Sequence, residues 1–312
     1  MSRASATAFA PATVGNVAVG FDILGHAIGV IGDTVRAERT ADPGVRIAAI
    51  TGVAGELPLA AARNTAGRAV QSLADAVAPT FGFALAIEKG IPLGSGLGGS
   101  AASAVAAVVA ANALLDRPLP VAELLVHAIE GEAVASGSRH ADNVAPALLG
   151  GLVLTVGLDP PRVKRIPVPP SVRCVLVHPR MFVSTQAARG ILARQIDFSD
   201  VVRQTANLAG FLAGCYTNDL AMIRAALADV IVEPQRAALI PGFAGIKQAA
   251  VEAGALGCSI SGAGPSVFAW CEEGAATAVR DGMIRAFTDA GLECDHWIAA
   301  VAGEGARLVE RP

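Results

Sequence analysis

A chain of 312 residues that is 53% hydrophobic and only 16% charged holds ample apolar material for one large core or two ordinary ones. Its 24 basic and 27 acidic residues leave a net charge of −3, which provides no broad positive field for a phosphate backbone and argues against nucleic acid as a partner. The longest apolar stretch, 101–115, is mostly alanine interrupted by Ser103 and Asn112, short of the ~20 strongly apolar residues a bilayer crossing needs, so no membrane span is expected.

The first ten residues lack a basic segment followed by an apolar core, so no secretory signal is visible and a cytoplasmic location is the expectation. The cysteines at 174, 215, 258, 271 and 294 are odd in number and form no C-x-x-C pair; they read as reduced packing residues.

From the N-terminus, hydrophobic patterning predicts strands over 5–10, 17–23, 27–39, 45–50 and 82–88 and helices over 64–78, 100–115 and 121–136. Five prolines then fall within twelve positions, 159–170, between two apolar strand-like runs. This punctuation fits either a domain boundary near 157–171 or a proline-flanked hairpin. Beyond it, strands are predicted near 172–177, 257–260, 265–271 and 294–301, and helices near 185–194, 200–214, 218–228, 242–253 and 275–290. The order is α+β, without the strand-helix alternation of a doubly wound sheet.

The most informative segment, I-P-L-G-S-G-L-G-G-S-A-A-S at 91–103, has four glycines among six residues running into an alanine-rich helix. Glycine permits close backbone approach and positive φ, and a helix start supplies unpaired amides, a combination suited to polyphosphate. Ser100 stands where its hydroxyl either caps the helix or reaches a magnesium ion. No Walker A lysine follows, which excludes a standard P-loop NTPase, and the spacing does not suit a dinucleotide fingerprint. On the helix over 121–136, Leu125, Ala128, Ile129 and Glu132 recur at helical spacing, so Glu132 falls on the apolar stripe and Glu130 is rotated away. A carboxylate directed inward needs a cation, from a salt bridge or from a magnesium ion.

The 92–101 segment resembles the phosphate-loop signature P-x-x-x-G-L-G-S-S-A of GHMP kinases, departing from it at Gly99 where the family usually has its first serine. Two more segments resemble that family's motifs in the same order. P-A-T-V-G-N-V-A-V-G-F-D at 11–22 is similar to the first motif as homoserine kinases carry it, and G-C-S-I-S-G-A-G-P-S at 257–266 to the third. The resemblance implies a two-domain α+β fold, with an N-terminal ribosomal-protein-S5-domain-2-like half over 1–157 and a C-terminal ferredoxin-like half over 158–312. It also implies ATP bound by Pro92, Leu93, Gly94, Ser95, Gly96, Leu97, Gly98, Gly99, Ser100 and Ala101, by Ser261, Gly262 and Gly264, and beside the adenine by Asn64 and Thr65. Magnesium is assigned to Ser100 and Glu132.

R-H-A-D-N-V-A-P at 139–146 resembles the homoserine kinase form, with Asn143 where related mevalonate and galactose kinases carry an aspartate. The resemblance therefore implies Asn143, Asn16 and Asp142 around the reacting hydroxyl. An amino-acid substrate would be held by Asn16, Asp22, His140, Asn143, Arg189 and Arg236, the arginines meeting its carboxylate and Asp22 its ammonium group. By residue type alone, His140 and Asp142 are equally a packed histidine and a capping aspartate. The expected reaction is phosphorylation of L-homoserine by ATP, and members of the family often form homodimers. Another GHMP kinase acting on a sugar or isoprenoid alcohol, or a non-catalytic metabolite binder on the same fold, are the alternatives.

Overall fold

The computed structural model describes residues 3–53 and 56–310. Its N-terminal portion contains β1 (Ser5–Gly15), β2 (Leu24–Thr40), β3 (Val45–Gly52), α1 (Thr65–Val77), β4 (Gly82–Lys89), α2 (Gly99–Asn112), α3 (Leu124–Ser136), α4 (Val144–Leu149), β5 (Leu152–Val156) and β6 (Arg162–Ile166). The C-terminal portion contains β7 (Val172–Pro179), α5 (Thr185–Gly190), α6 (Phe198–Thr217), α7 (Leu220–Ala226), α8 (Glu233–Arg236), α9 (Phe243–Glu252), β8 (Ala255–Ile260), β9 (Val267–Glu272), α10 (Ala276–Asp289), β10 (Cys294–Ala300) and β11 (Arg307–Leu308).

The larger sheet runs β11-β1-β2-β4-β3, with β5 and β6 continuing from β2; only the β3–β4 pairing is parallel. The second sheet is antiparallel in the order β10-β7-β9-β8. With α9 and α10 packed on it, this is the order of a ferredoxin-like βαββαβ unit.

Helix α2 lies in the middle of the N-terminal portion, and every residue from Ala101 to Val108 is buried. Its alanines let α1, α3 and the sheet approach on all sides, which explains a helix without a polar face. The α1–α3 crossing is equally tight, since a Cβ at Gly131 would stand 2.4 Å from the Thr65 carbonyl oxygen.

One expectation is corrected. The 17–23 segment is a turn, because β1 ends at Gly15 and the chain then takes left-handed conformations at Asn16, Val17 and Ala18 (φ 67°, 42° and 57°). Its valines are apolar because they are buried in the core, not because they form a strand. Of the two readings of the proline-rich segment the structure has the hairpin: β6 pairs with β5 over Leu152↔Ile166 to Val156↔Arg162, so this arm of the first sheet runs to Ile166. Strand β11 returns to β1 in that sheet, so residues from the end of the chain complete the N-terminal portion.

Candidate active site

Three left-handed glycines, Gly94, Gly96 and Gly98 (φ 62°, 76° and 66°), alternate along the loop that leads into α2. Four successive carbonyls of this loop are taken by neighbours. Gly94 O accepts from Val183 N, Ser95 O from Ser266 N, Gly96 O from Ser261 Oγ (2.7 Å) and Leu97 O from Thr13 N (3.0 Å). In a trans peptide the next N–H points opposite to the carbonyl, so the amides of Ser95, Gly96, Leu97 and Gly98 turn away from these partners. The result is a row of donors at the start of α2, an anion-binding concavity. No side chain fits at Gly96, where a Cβ would meet Ser261 O at 2.5 Å.

This loop floors a cleft of about 490 Å³ lined also by Asn64, Thr65, Lys89, Glu132, Asn143, Phe182 and Gly262. Pro92 to Ser100 all face it, whereas Ala101 is buried in α2, and Ser261 and Gly264 lie behind the loop. Asn64 caps α1 through the amides of Ala66 and Gly67 and donates to Pro58 O, so its side chain is committed to the wall of the cleft.

A smaller cavity of about 50 Å³ adjoins it, lined by Asn16, Phe21, Asp22, His140, Asp142, Arg189 and Arg236, and sharing Glu132, Asn143 and Gly262 with the larger one. The turn after β1 supplies its floor: Asn16 donates to Gly262 O (2.9 Å) and accepts from Asp22 N (3.1 Å), fixing Asp22 at φ 63°.

The charged groups expected to receive an amino acid do converge here, but in this structure they are paired with one another. Arg189 grips Asp22 through two hydrogen bonds of 2.8 and 3.0 Å, and His140 Nε2 lies 3.6 Å from the same carboxylate. Arg236, buried, donates Nε to Ala188 O and Nη1 to Gly262 O, both at 3.0 Å, leaving its other guanidinium hydrogens available. Both guanidinium carbons lie 5.2 Å from the centre of the Phe21 ring. Burial, then the neighbouring Arg189, lowers the Arg236 pKa, and the Asp22 hydrogen bonds raise that of Arg189.

At the junction of the cavities, Thr13 Oγ1 donates to Asn143 Oδ1 (2.7 Å), while Asn143 Nδ2 donates to Asp142 Oδ2 (3.2 Å). The amide is thus oriented and keeps one donor and one acceptor site free. Burial, reinforced by the Asp22 charge, pushes the Asp142 carboxyl up to about 7. Burial also pushes Glu132 up to about 7, opposed by the Ser100 hydroxyl and assisted by Asp142. Glu132 Oε2 is shielded from solvent and has no hydrogen-bond partner. Glu130, two residues earlier on the helix, pairs instead with Arg139 and Arg68 at 3.1 and 3.7 Å.

An orphaned carboxylate oxygen beside a hydroxyl suits a hard cation with oxygen ligands. Among the described residues no cluster of three or more His, Cys, Asp or Glu is arranged to hold a metal. A magnesium ion would therefore draw on Glu132, Ser100 and the phosphates of a nucleotide.

Sequence reasoning missed Lys89 and Asp33, a buried ion pair under the phosphate loop. Neither lies in a motif, and a lysine at a strand end before a glycine reads as solvated.

Both halves of the chain match models of GHMP kinases, the N-terminal domain over residues 64–151 and the C-terminal domain over 211–289. A homoserine kinase of Xylella fastidiosa (strain M12) is 53% identical over 97% of this chain and 94% of its own length. That of Xanthomonas campestris pv. campestris (strain B100) is 54% identical over the same shares. The chain belongs to the GHMP kinase family, in its homoserine kinase branch. The crystal structure of homoserine kinase from Cytophaga hutchinsonii superposes with a TM-score of 0.94 at 44% identity, covering 98% of each chain. Mevalonate kinase of L. major shares the fold at a TM-score of 0.68 and 18% identity, covering 96% of this chain and 99% of its own. No helix among the described residues is long and apolar enough to cross a membrane.

Proposed function

We propose that this protein transfers the γ-phosphoryl group of ATP to the side-chain hydroxyl of L-homoserine, giving O-phospho-L-homoserine on the way to threonine. The observation that carries the reading is the meeting of an anion-binding cleft with a small cavity bearing groups for both ends of an amino acid, at a shared wall of Glu132, Asn143 and Gly262.

The row of amides in the phosphate loop receives the triphosphate. Glu132 and Ser100 would hold a magnesium ion, which when bound would neutralise charge on the phosphates. Arg236 offers its free guanidinium hydrogens to the substrate carboxylate, and Asp22 meets the ammonium group. A zwitterion thereby replaces the Asp22–Arg189 ion pair: the ammonium group takes the place of Arg189 at Asp22, and the carboxylate is shared by the released Arg189 and Arg236. Asn143 holds the acceptor hydroxyl against the γ-phosphorus. Phosphoryl transfer through a loose transition state asks mainly for this positioning and little of a side-chain base.

ADP release measured across homoserine, mevalonate, galactose and shikimate is expected to favour homoserine. Arg236→Leu should raise the KM for homoserine at least tenfold and leave that for ATP nearly unchanged, since one charge-assisted hydrogen bond contributes about 1.5–3 kcal/mol. 3-Aminopropan-1-ol, lacking the carboxylate, should be a poor acceptor and lose little further in the variant. Equal penalties on both acceptors would show that Arg236 does not bind the carboxylate.

A further inference from the structure

Beneath the phosphate loop, the Asp33 carboxylate on β2 collects four donors. Its Oδ1 accepts from the amides of Gly90 (3.0 Å) and Ile91 (3.2 Å), the residues by which the chain enters the loop. Its Oδ2 accepts from Ser103 Oγ (2.7 Å) on α2 and from Lys89 Nζ. Lys89 Nζ in turn donates to Ser103 Oγ (2.9 Å) and to the carbonyl of Gly99 (2.7 Å), the first residue of α2, by which the chain leaves the loop.

We propose that Lys89 and Asp33 act as a positioning unit that fixes both ends of the phosphate loop and so sets the affinity for nucleotide. The inference rests on reading the larger cleft as the ATP site. The middle of the loop is strapped through its carbonyls to Thr13, Val183 and the 261–266 turn, but nothing in those straps determines how the loop meets β4 and α2. That is the task of one carboxylate and one ammonium group, each almost wholly buried. Apolar residues of similar volume would fill the same space at no desolvation cost. The donors are spent on the two loop ends, and Lys89 itself lines the cleft, so the arrangement serves the loop and not only the core. Because Asp33 neutralises Lys89, the pair acts through the geometry of the amides and not as a bare charge on the phosphates.

Single substitutions leave an unpaired buried charge and can unfold the protein, so the test combines Asp33→Asn with Lys89→Met. The first change keeps a side-chain oxygen to accept from Gly90 and Ile91, while the second removes the tie to Gly99. The double variant is expected to bind ATP with a KM at least tenfold higher and to keep its KM for homoserine within twofold. Ser103→Ala, which retains the ion pair and removes only a buried hydroxyl, should raise the KM for ATP about threefold. Native KM values for ATP in either variant, or parallel rises for both substrates, overturn the proposal by reducing the pair to a packing element. If the parent protein shows no ATP binding in the same assay, the reading of the cleft has failed instead.

Discussion

At the residue scale, Glu132 and Glu130 lie two positions apart on one helix and meet opposite environments. Glu132 faces the junction of the cavities with an unpartnered oxygen, and Glu130 is satisfied by two arginines at the surface. Glu132→Gln keeps the shape and removes the charge available to magnesium, so kcat should fall at least a hundredfold with thermal stability unchanged or higher. Glu130→Gln should stay within about threefold, because partly exposed ion pairs contribute only ~0–1 kcal/mol. Equal activities of the two would end the assignment of Glu132. Asp142→Asn should retain measurable turnover without a new pH dependence, since Asn143 and not Asp142 borders the nucleotide cleft. Loss of turnover with normal binding of both substrates would make Asp142 the proton acceptor. The inward turn of Glu132 was legible from helical spacing. The Asp22–Arg189 pair was not, because it joins residues 167 apart in sequence and depends on how α5 sits over the turn after β1.

At the scale of elements, the long periodic helices and the two glycine-rich loops were legible, and the segments that carry local irregularity were not. The run 17–23 has the composition of a strand, yet Gly20 must lie against Leu24, whose side chain would stand 2.4 Å from a Cβ there. Helices α4 and α8, of six and four residues, are too short to show a period, and the prolines at 160 and 161 fitted a domain boundary as well as the β5–β6 hairpin. The contact between the glycine loops gives a direct test of element packing. Gly96→Ala combines φ 76° with backbone oxygens at 2.5 and 2.6 Å, so the loops must separate and the KM for ATP should rise at least tenfold. Gly245→Ala, in the exposed face of α9 with nothing within 4 Å, should instead stabilise the fold by about 0.5–1 kcal/mol in urea unfolding. If both changes behave alike, steric fit at Gly96 is not what brings the two loops together.

At the scale of the whole molecule, the site lies where the two portions of the chain meet, and away from its cavities a buried side-chain contact also joins the two sheets. Trp270 Nε1 on β9 donates to His26 Nε2 on β2 (3.2 Å), which leaves the proton of the neutral ring on Nδ1, facing Ala27 O. Aromatic rings of Trp270 and Phe268 surround the imidazole, and burial lowers its pKa to about 4. The unfolded chain, with an ordinary value near 6.5, takes up a proton between about pH 6.5 and 4 while the folded chain does not. This contribution to stability is therefore complete above pH 6.5 and declines as acid is added through that window. Glu132 and Asp142, whose carboxyls are raised in the folded state, act with the opposite sign over much of the same range, so the parent curve alone cannot isolate the histidine. The comparison needed is with His26→Leu combined with Trp270→Phe, which removes the titrating group and its donor together; the loss of the side-chain donor to Ala27 O is the same at every pH and cancels from the comparison of profiles. Between pH 7 and pH 5 the parent should lose about 2 kcal/mol of unfolding free energy relative to this variant, measured by urea denaturation at each pH. Parallel pH profiles would mean that His26 takes up its proton without opening the contact between the sheets.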